Sequence, residues 1–244
     1  MSDTREPGLP AEAGMPHHDE LPNSKERVRR AAHAVLDPFV ALLAGIGVRP
    51  DHVTVFGLFL SLAAAIAFFE GGFRLAALIL ELSGVCDILD GQLARRRGHA
   101  SRFGAFLDST LDRIADGLVL AGLAGFYMVH LLDLVIDPKQ AVMEIARGLE
   151  PRTWAVVSLT AIVALLGSFM VSYTRARAEG LGLECKVGWF ERPERMLLLI
   201  VAALFGVGPV MPGALLILAA LSFVTAFQRV AHVWKITRGA GMDR

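Results

Sequence analysis

The chain has 244 residues, 54% of them hydrophobic, and its 24 basic and 24 acidic residues give a formal net charge of zero. This apolar fraction exceeds the roughly 45–50% typical of soluble domains, and its apolar runs have about the 20-residue length that crosses a bilayer. The composition therefore excludes an ordinary soluble domain. It predicts an all-α polytopic protein, because a helix satisfies its own backbone hydrogen bonds in lipid. We expect membrane lipid around it and no nucleic-acid partner.

The first 46 residues divide into two segments. Residues 1–24 are rich in Pro, Gly, Asp and Glu and have no apolar stretch behind a basic start, so we predict a disordered cytoplasmic tail rather than a signal peptide. Residues 25–46 begin basic and turn apolar, with Asp37 and Pro38 interrupting the run. This pattern predicts an amphipathic helix lying at the membrane interface, with its basic residues near lipid phosphates.

Residues 47–244 are predicted to form one membrane domain of six transmembrane helices, which follow the interfacial helix. Prolines stand close to the expected starts of several of these helices, where a missing backbone N–H is tolerated. The predicted spans are 52–70, 73–96, 103–130, 153–178, 192–207 and 213–236.

The distribution of basic residues predicts the orientation of this domain. With the N-terminus inside, the outer segments hold only four of the 24 Lys and Arg residues, namely Arg74, Lys139, Arg147 and Arg152. Such a bias is typical of membrane proteins, whose inner loops are basic. We therefore predict an integral protein of the cell (inner) membrane in which the inner ends of spans two and three face the cytoplasm. The outer loop 131–152 has no motif that indicates a role.

Four carboxylates, Asp87, Asp90, Asp108 and Asp112, lie within the second and third apolar runs. An acidic residue inside a membrane segment is energetically costly, and it therefore indicates a functional site. The first two are three residues apart and the last two are four apart, so each pair shares one helix face. Two helices that each present two carboxylates form an oxygen-rich cage suited to a divalent cation such as Mg²⁺.

The residues around these carboxylates follow the order Asp-x2-Asp-Gly-x2-Ala-Arg-x8-Gly-x3-Asp-x3-Asp. This string resembles the signature of the CDP-alcohol phosphotransferase (phosphatidyltransferase) family. The resemblance implies an enzyme that transfers a phosphatidyl group from CDP-diacylglycerol, or a related CDP-alcohol, and releases CMP. The matching positions are Asp87, Asp90, Gly91, Ala94, Arg95, Gly104, Asp108 and Asp112.

The resemblance also implies roles for these residues. The four aspartates would hold two Mg²⁺ or Mn²⁺ ions, and two adjacent metals can clamp both the attacking and the leaving oxygen of a phosphoryl displacement. Asp112 would ligate metal or act as the general base on the acceptor hydroxyl. The guanidinium of Arg95 can hold a pair of phosphate oxygens. Asp116 continues the same helix face, and we favour a structural role for it, in a pair with Arg113, over metal binding.

Small residues and an upstream segment complete the expected donor site. Gly91, Ala94 and Gly104 let helices approach closely and leave room for a flat base or a pyrophosphate. Residues 47–54 resemble the family segment before the first span, although Arg49 replaces the usual Thr or Ser. By resemblance Asp51 and Thr54 lie near the cytidine. An N-cap role for Asp51 is an equally good and compatible interpretation.

The acceptor is indicated by arginines near the inner ends of the later spans. Residues 172–195 read SYTRARAEGLGLECKVGWFERPER, and Arg229 lies within the otherwise apolar sixth span. This density of guanidinium groups favours a phosphate-bearing acceptor, although a positive-inside bias explains some of them. The segment resembles phosphatidylinositol-phosphate and archaetidylinositol-phosphate synthases, which implies inositol 1-phosphate as the acceptor. The residues implied to hold its phosphate are Arg175, Arg177, Arg195 and Arg229.

Alternatives remain open at this level. Glycerol 3-phosphate, a small phosphorylated alcohol that also needs a basic pocket, would make the chain a phosphatidylglycerophosphate synthase. In another class, the aspartates could form the transit site of a divalent-cation transporter, although the neighbouring arginines would repel cations. A non-catalytic scaffold is disfavoured by the intact motif. The family resemblance further implies a homodimer.

Overall fold

The computed structural model describes residues 24–96, 101–146 and 150–239. All regular secondary structure in these residues is helical, which confirms the predicted all-α class. The helices are α1 (Ser24–Gly45), α2 (Pro50–Phe69), α3 (Phe73–Arg96), α4 (Arg102–Ile136), α5 (Pro138–Ala146), α6 (Pro151–Gly180), α7 (Arg192–Leu204) and α8 (Val210–Gly239).

Local sequence signals explain where several helices begin. Pro50 and Pro151 each stand at the first position of a helix, where the absent N–H costs no hydrogen bond. The hydroxyl of Ser101 caps α4 by accepting a hydrogen bond from the backbone N–H of Gly104 at 2.8 Å. At α7, the Glu194 carboxylate accepts a bond from the Glu191 backbone N–H at 3.2 Å, as in a capping box.

Six of the helices pack in a closed ring. In order around it, α2 packs against α4, α4 against α6, α6 against α8, α8 against α7, α7 against α3, and α3 against α2. Helix α1 packs against α3, and the short α5 contacts α4 and α6. The ring brings the C-terminal half of α3, the start of α4 and the start of α7 together, and these are the segments that carry the conspicuous charged residues.

Small and hydroxyl-bearing residues allow the close contacts within the ring. The Ser61 and Ser83 hydroxyls are 2.8 Å apart between α2 and α3, and the Ser158 hydroxyl donates to the Ala124 carbonyl at 3.0 Å between α6 and α4. Such contacts are typical of helix interfaces in membrane proteins. At the α2–α4 crossing, a β-carbon on Gly122 would overlap the carbonyl oxygen of Ala65, so only glycine fits there.

Replacing Gly122 by Ala is therefore expected to destabilise the protein by about 1–3 kcal/mol, the usual cost of overpacking a well-packed interface. The added methyl group would meet backbone rather than a movable side chain, so α2 and α4 would have to separate. The thermal unfolding midpoint in detergent measures the effect. Gly84→Ala is the matched control, because a β-carbon added there would have no neighbour within 4 Å and the midpoint should not fall.

The expectation of six spans is met in part. Helices occur at all six predicted positions, but only α2, α4, α6 and α8 among the described helices are both long and apolar enough to cross a membrane. Helix α7 has 13 residues, about 20 Å, which is shorter than a bilayer core of about 30 Å. Helix α3 is long enough, but it contains six charged residues, which interrupt its apolar character: Arg74, Glu81, Asp87, Asp90, Arg95 and Arg96.

The remaining predictions about segments have mixed outcomes. Residues 24–45 form α1 as a helix, and its location at a membrane interface stays a prediction. Segment 131–152 is not a simple loop, because α4 extends to Ile136 and α5 follows it directly. An Asp-Pro pair separates these helices, because proline supplies no N–H to continue α4. The predicted tail 1–24 lies almost entirely outside the described residues.

Candidate active site

Three of the predicted aspartates converge from the C-terminal half of α3 and the start of α4. One carboxylate oxygen from each of Asp87, Asp90 and Asp108 lies within 4.8 Å of the others. Asp90 is buried, and both its Oδ2 and the Oδ1 of Asp108 are buried without a hydrogen-bond partner among the described residues. Buried carboxylate oxygens that neither solvent nor a donor reaches are costly. Their convergence makes this aspartate cluster a candidate cation site.

Asp112 lies one turn further along α4 and contacts an arginine. Its Oδ1 is 2.9 Å from Nη1 of Arg192, and the same Nη1 is 3.0 Å from Oδ2 of Asp87. Nε of Arg192 also donates to Asp116 at 3.2 Å. Arg192, at the start of α7, therefore joins the aspartate cluster to the rest of the acidic face of α4.

A large cavity of about 630 Å³ opens beside the aspartate cluster, between the start of α2, the end of α3 and the start of α4. Asp90 and Asp108 form part of its wall, so the cavity reaches two of the three clustered carboxylates. Five of the six residues predicted to bind the CDP-alcohol line it: Asp51, Thr54, Gly91, Ala94 and Gly104. The structure thus brings these residues together around one space.

The sixth predicted donor-site residue, Arg95, is placed differently. Its guanidinium lies over Gly91, with both Nη atoms 3.9 Å from the position of a β-carbon on that glycine. It lines a separate cleft of about 380 Å³ between α1 and α3, together with Gln92 and Arg96. Arg95 therefore stands at the edge of the cavity of about 630 Å³ rather than in its wall.

A second cavity, of about 160 Å³, lies on the other side of Asp112, and we call it the arginine cavity after the residues that line it. Three of the four predicted phosphate-binding arginines line it, namely Arg175, Arg195 and Arg229. Arg195 and Arg229 are each only 2% exposed. Nε and Nη1 of Arg195 are buried without a partner among the described residues, so these donors are free for an anionic ligand.

The fourth predicted arginine, Arg177, does not join this cavity. It is exposed near the end of α6. Residues two apart on a helix point in opposite directions, so Arg175 and Arg177 could not both face the same cavity. The pairing expected for Asp116 also differs, because its carboxylate binds Arg192 and, through Oδ2 at 2.9 Å, Arg195. Arg113 instead lies 3.7 Å from Asp112.

The family model of the CDP-alcohol phosphatidyltransferases matches residues 48–231, which include both cavities and the aspartate cluster. The chain belongs to this family. It is therefore a phosphatidyltransferase of phospholipid biosynthesis, as the signature predicted, and this membership confirms the predicted enzyme class.

Individual relatives agree with this assignment. The phosphatidyltransferase is 34% identical over 219 residues to an archaetidylinositol phosphate synthase of Methanothermobacter thermautotrophicus, a match covering 88% of this chain and 98% of the relative. It is 39% identical over 210 residues to a phosphatidylinositol phosphate synthase of Streptomyces avermitilis, a match covering 82% of this chain and 78% of the relative.

Solved structures of the phosphatidylinositol phosphate synthase of Mycobacterium tuberculosis share the fold. The crystal structure with CDP-DAG bound superposes with a TM-score of 0.67 at 32% identity, covering 81% of this phosphatidyltransferase and 92% of that chain. The structure of the same synthase with manganese and citrate has a TM-score of 0.65 at 33% identity, covering 81% of this chain and 88% of that one.

The aspartate cluster of this phosphatidyltransferase fits a divalent cation. Oxygens bound to one Mg²⁺ at about 2.1 Å are separated by roughly 3 Å when adjacent and about 4.2 Å when opposite, and the three carboxylate oxygens here, which lie within 4.8 Å of one another, reach that range after a modest contraction. The two orphaned oxygens of Asp90 and Asp108 would gain a partner. A divalent ion is also the ligand that offsets three neighbouring negative charges.

Sequence reasoning did not single out two residues at the heart of this site. Arg192 contacts Asp87, Asp112 and Asp116, and Glu191 lines the arginine cavity. Both belong to the string Glu-Arg-Pro-Glu-Arg. The sequence signal for these two residues is the start of a helix: Glu191 and Arg192 directly precede Pro193, and proline is favoured in the first turn of a helix. Charged side chains at a helix start have a fixed position relative to the helix axis.

Proposed function

We propose that this phosphatidyltransferase transfers the phosphatidyl group of CDP-diacylglycerol to a hydroxyl of inositol 1-phosphate and releases CMP. One observation carries the proposal: the acidic residues stand between two cavities of different character. Asp90 and Asp108 border the larger cavity, and Asp112 borders the arginine cavity. A donor and an acceptor bound in the two spaces would meet at these carboxylates, which is the proximity that a transfer reaction needs.

The larger cavity, which we call the donor cavity, suits the CDP-alcohol. Its volume of about 630 Å³ lies within the range of about 300–1,000 Å³ common for small-molecule sites. The glycines in its wall allow a nucleotide to approach the backbone, and Arg95 at its edge is placed to contact a phosphate. A relative of this chain has been crystallised with CDP-DAG bound, which supports the same donor here.

We assign Asp87, Asp90 and Asp108 as ligands of Mg²⁺ or Mn²⁺, with Asp112 completing the site if a second ion binds. The manganese present in a structure of the Mycobacterium tuberculosis synthase supports a divalent ion. When bound, such an ion would neutralise charge on the phosphoryl oxygens and on the departing CMP. The carboxylates would hold the ion at the boundary between the two cavities.

The arginine cavity suits the phosphate of the acceptor. Arg175, Arg195 and Arg229 would bind that phosphate, and the inositol ring would extend toward Asp112, which lines the same cavity. Asp112 would accept the proton of the attacking hydroxyl, whose oxygen forms a bond to the phosphorus that carries the lipid. The bond from that phosphorus to the bridging pyrophosphate oxygen breaks, and the electron pair leaves with CMP.

The predicted orientation agrees with this reaction. If the N-terminus lies inside, the cavities open toward the cytoplasm, where a water-soluble inositol phosphate is accessible, while the lipid donor enters from the inner leaflet. We retain the inner membrane location and the homodimer as proposals. The contacts of Arg192 with three aspartates disfavour the transporter alternative, because a guanidinium at the cluster would oppose the passage of a cation.

An acceptor panel tests the proposed function. Purified protein in detergent is given CDP-diacylglycerol, Mg²⁺ and either inositol 1-phosphate, glycerol 3-phosphate or serine, and CMP release is measured. We expect release with inositol 1-phosphate to exceed that with either other acceptor by at least about tenfold, since glycerol 3-phosphate fills less of the cavity and serine has no phosphate for its arginines. Removal of divalent ions with EDTA should stop release. Faster release with glycerol 3-phosphate would replace the proposed acceptor.

A further inference from the structure

The arginine cavity is the acceptor cavity of the proposed reaction. Glu191 places a carboxylate among its arginines. Its Oε1 lies 2.9 Å from Nη2 of Arg229 and 3.6 Å from Nη1 of Arg175. Both arginines are ones that we assign to the acceptor phosphate, and Glu191 itself lines the cavity. The carboxylate therefore stands where phosphate oxygens would be expected to bind.

The charges around the cavity make this contact informative. The lining residues comprise five arginines and three carboxylates, which gives a formal net charge of +2. Asp112 and Asp116 are engaged by Arg192, and Asp116 also binds Arg195. Glu191 is the lining carboxylate that contacts both Arg175 and Arg229.

Arg229 does not depend on Glu191 for its position. Its Nε donates to the carbonyl of Val187 at 2.8 Å, and its Nη1 donates to the carbonyl of Val171 at 2.6 Å. These two backbone contacts, from different parts of the chain, fix the guanidinium plane. The Glu191 side chain is 45% exposed, so its carboxylate has room to swing toward solvent while Arg229 stays in place.

We propose that Glu191 is a built-in counter-anion of the acceptor cavity, which the phosphate of the acceptor displaces and which pairs again with the arginines as product leaves. The inference rests on the proposed function, in which the phosphate of the acceptor is not consumed but remains on the lipid product. The arginines that bind this phosphate must therefore release it in every turnover. A carboxylate that competes for them weakens phosphate binding and thereby favours release.

Glu191→Gln tests the proposal, because glutamine keeps an oxygen acceptor for Arg229 and loses only the charge. Binding of inorganic phosphate to the full chain in detergent is measured calorimetrically with EDTA present, so that phosphate cannot bind through a metal. We expect affinity to rise by about fivefold, the effect of removing one partly exposed competing ion pair. In turnover, KM for the acceptor should fall without an increase in kcat, the pattern of uniform binding.

Glu184→Gln is the matched control, because it removes the same charge from the same loop at a residue that pairs with Lys186 outside the cavity. Its phosphate affinity should equal that of the unmodified protein. Unchanged or weaker binding by Glu191→Gln would overturn the proposal and make Glu191 an organiser of the arginines. If that variant does not fold, Glu191→Asp, which draws the carboxylate back from Arg229, must bind phosphate more tightly than the unmodified protein.

The two proposals fail separately in these experiments. A preference for another phosphorylated acceptor in the panel would refute inositol 1-phosphate, yet the phosphate titration would still decide the role of Glu191. Conversely, a Glu191→Gln variant with unaltered phosphate affinity would leave the acceptor assignment intact. A complete absence of phosphate binding in every variant would overturn the counter-anion role itself.

Discussion

Asp90→Asn should lower the kcat for CMP release by at least about 10³-fold while the protein still folds and inserts. Asp90 is buried and borders the donor cavity, and its carboxylate converges with those of Asp87 and Asp108. An amide of the same shape removes one negative charge and weakens a cation site that we expect to supply several kcal/mol of transition-state stabilisation. CMP release with saturating donor and acceptor measures the loss.

Thermal unfolding distinguishes a lost metal ligand from a damaged fold. Mn²⁺ should raise the unfolding midpoint of the unmodified protein, because a ligand that binds only the folded state stabilises it, and should raise that of the variant much less. Without metal the variant should be at least as stable as the unmodified protein, since it has one like charge fewer in the cluster. Asp133→Asn, an exposed position at the far end of α4, should change neither property. Full activity of Asp90→Asn would refute the metal role.

The grouping of the acidic residues could be predicted from the sequence because the physical reason for it is local. A carboxylate in an apolar helix needs compensation wherever the helix lies, and spacings of three and four place two of them on one face. The structure adds what spacing cannot supply, namely that α3 and α4 approach closely enough for three oxygens to converge. Spacing groups Asp112 with the others, yet its observed contact is with Arg192, a residue 80 positions away along the chain.

The arginines show the limit of the same reasoning. The family resemblance implies Arg175 and Arg177 together, but residues two apart on a helix do not share a face, so helical periodicity separates them. Arg192 could not be distinguished from Arg195 by composition, since both belong to one charged string. Their partners lie on α3 and α4, and they depend on the tertiary placement of α7, which leaves no mark on the local pattern. The count of six spans is met only in part for a related reason, because α3 and α7 are placed in the ring by packing and their apolar length alone does not mark them as spans.

Arg195→Gln should raise the KM for inositol 1-phosphate by about 10²-fold. Arg195 is 2% exposed, one of its nitrogens binds Asp116 at 2.9 Å, and two others are buried without a partner among the described residues. Truncating one member of a buried, charge-assisted contact typically costs about 2–5 kcal/mol or more. The expected 10²-fold rise in KM corresponds to about 2.7 kcal/mol, which lies within this range. Asp116 keeps its bond to Arg192, so the fold should persist.

The effect of Arg195→Gln should be confined to the acceptor, because Arg195 does not line the donor cavity. The KM for CDP-diacylglycerol is expected to stay within about twofold of the unmodified value, since distant and independent sites act additively. Arg177→Gln removes the same charge from an exposed position outside the acceptor cavity, and it should change neither KM by more than about twofold. Equal losses in the two variants would mean that these arginines act through general positive charge at the membrane surface. If only Arg195→Gln raises the KM for the acceptor, the acceptor phosphate is bound by buried donors of fixed orientation.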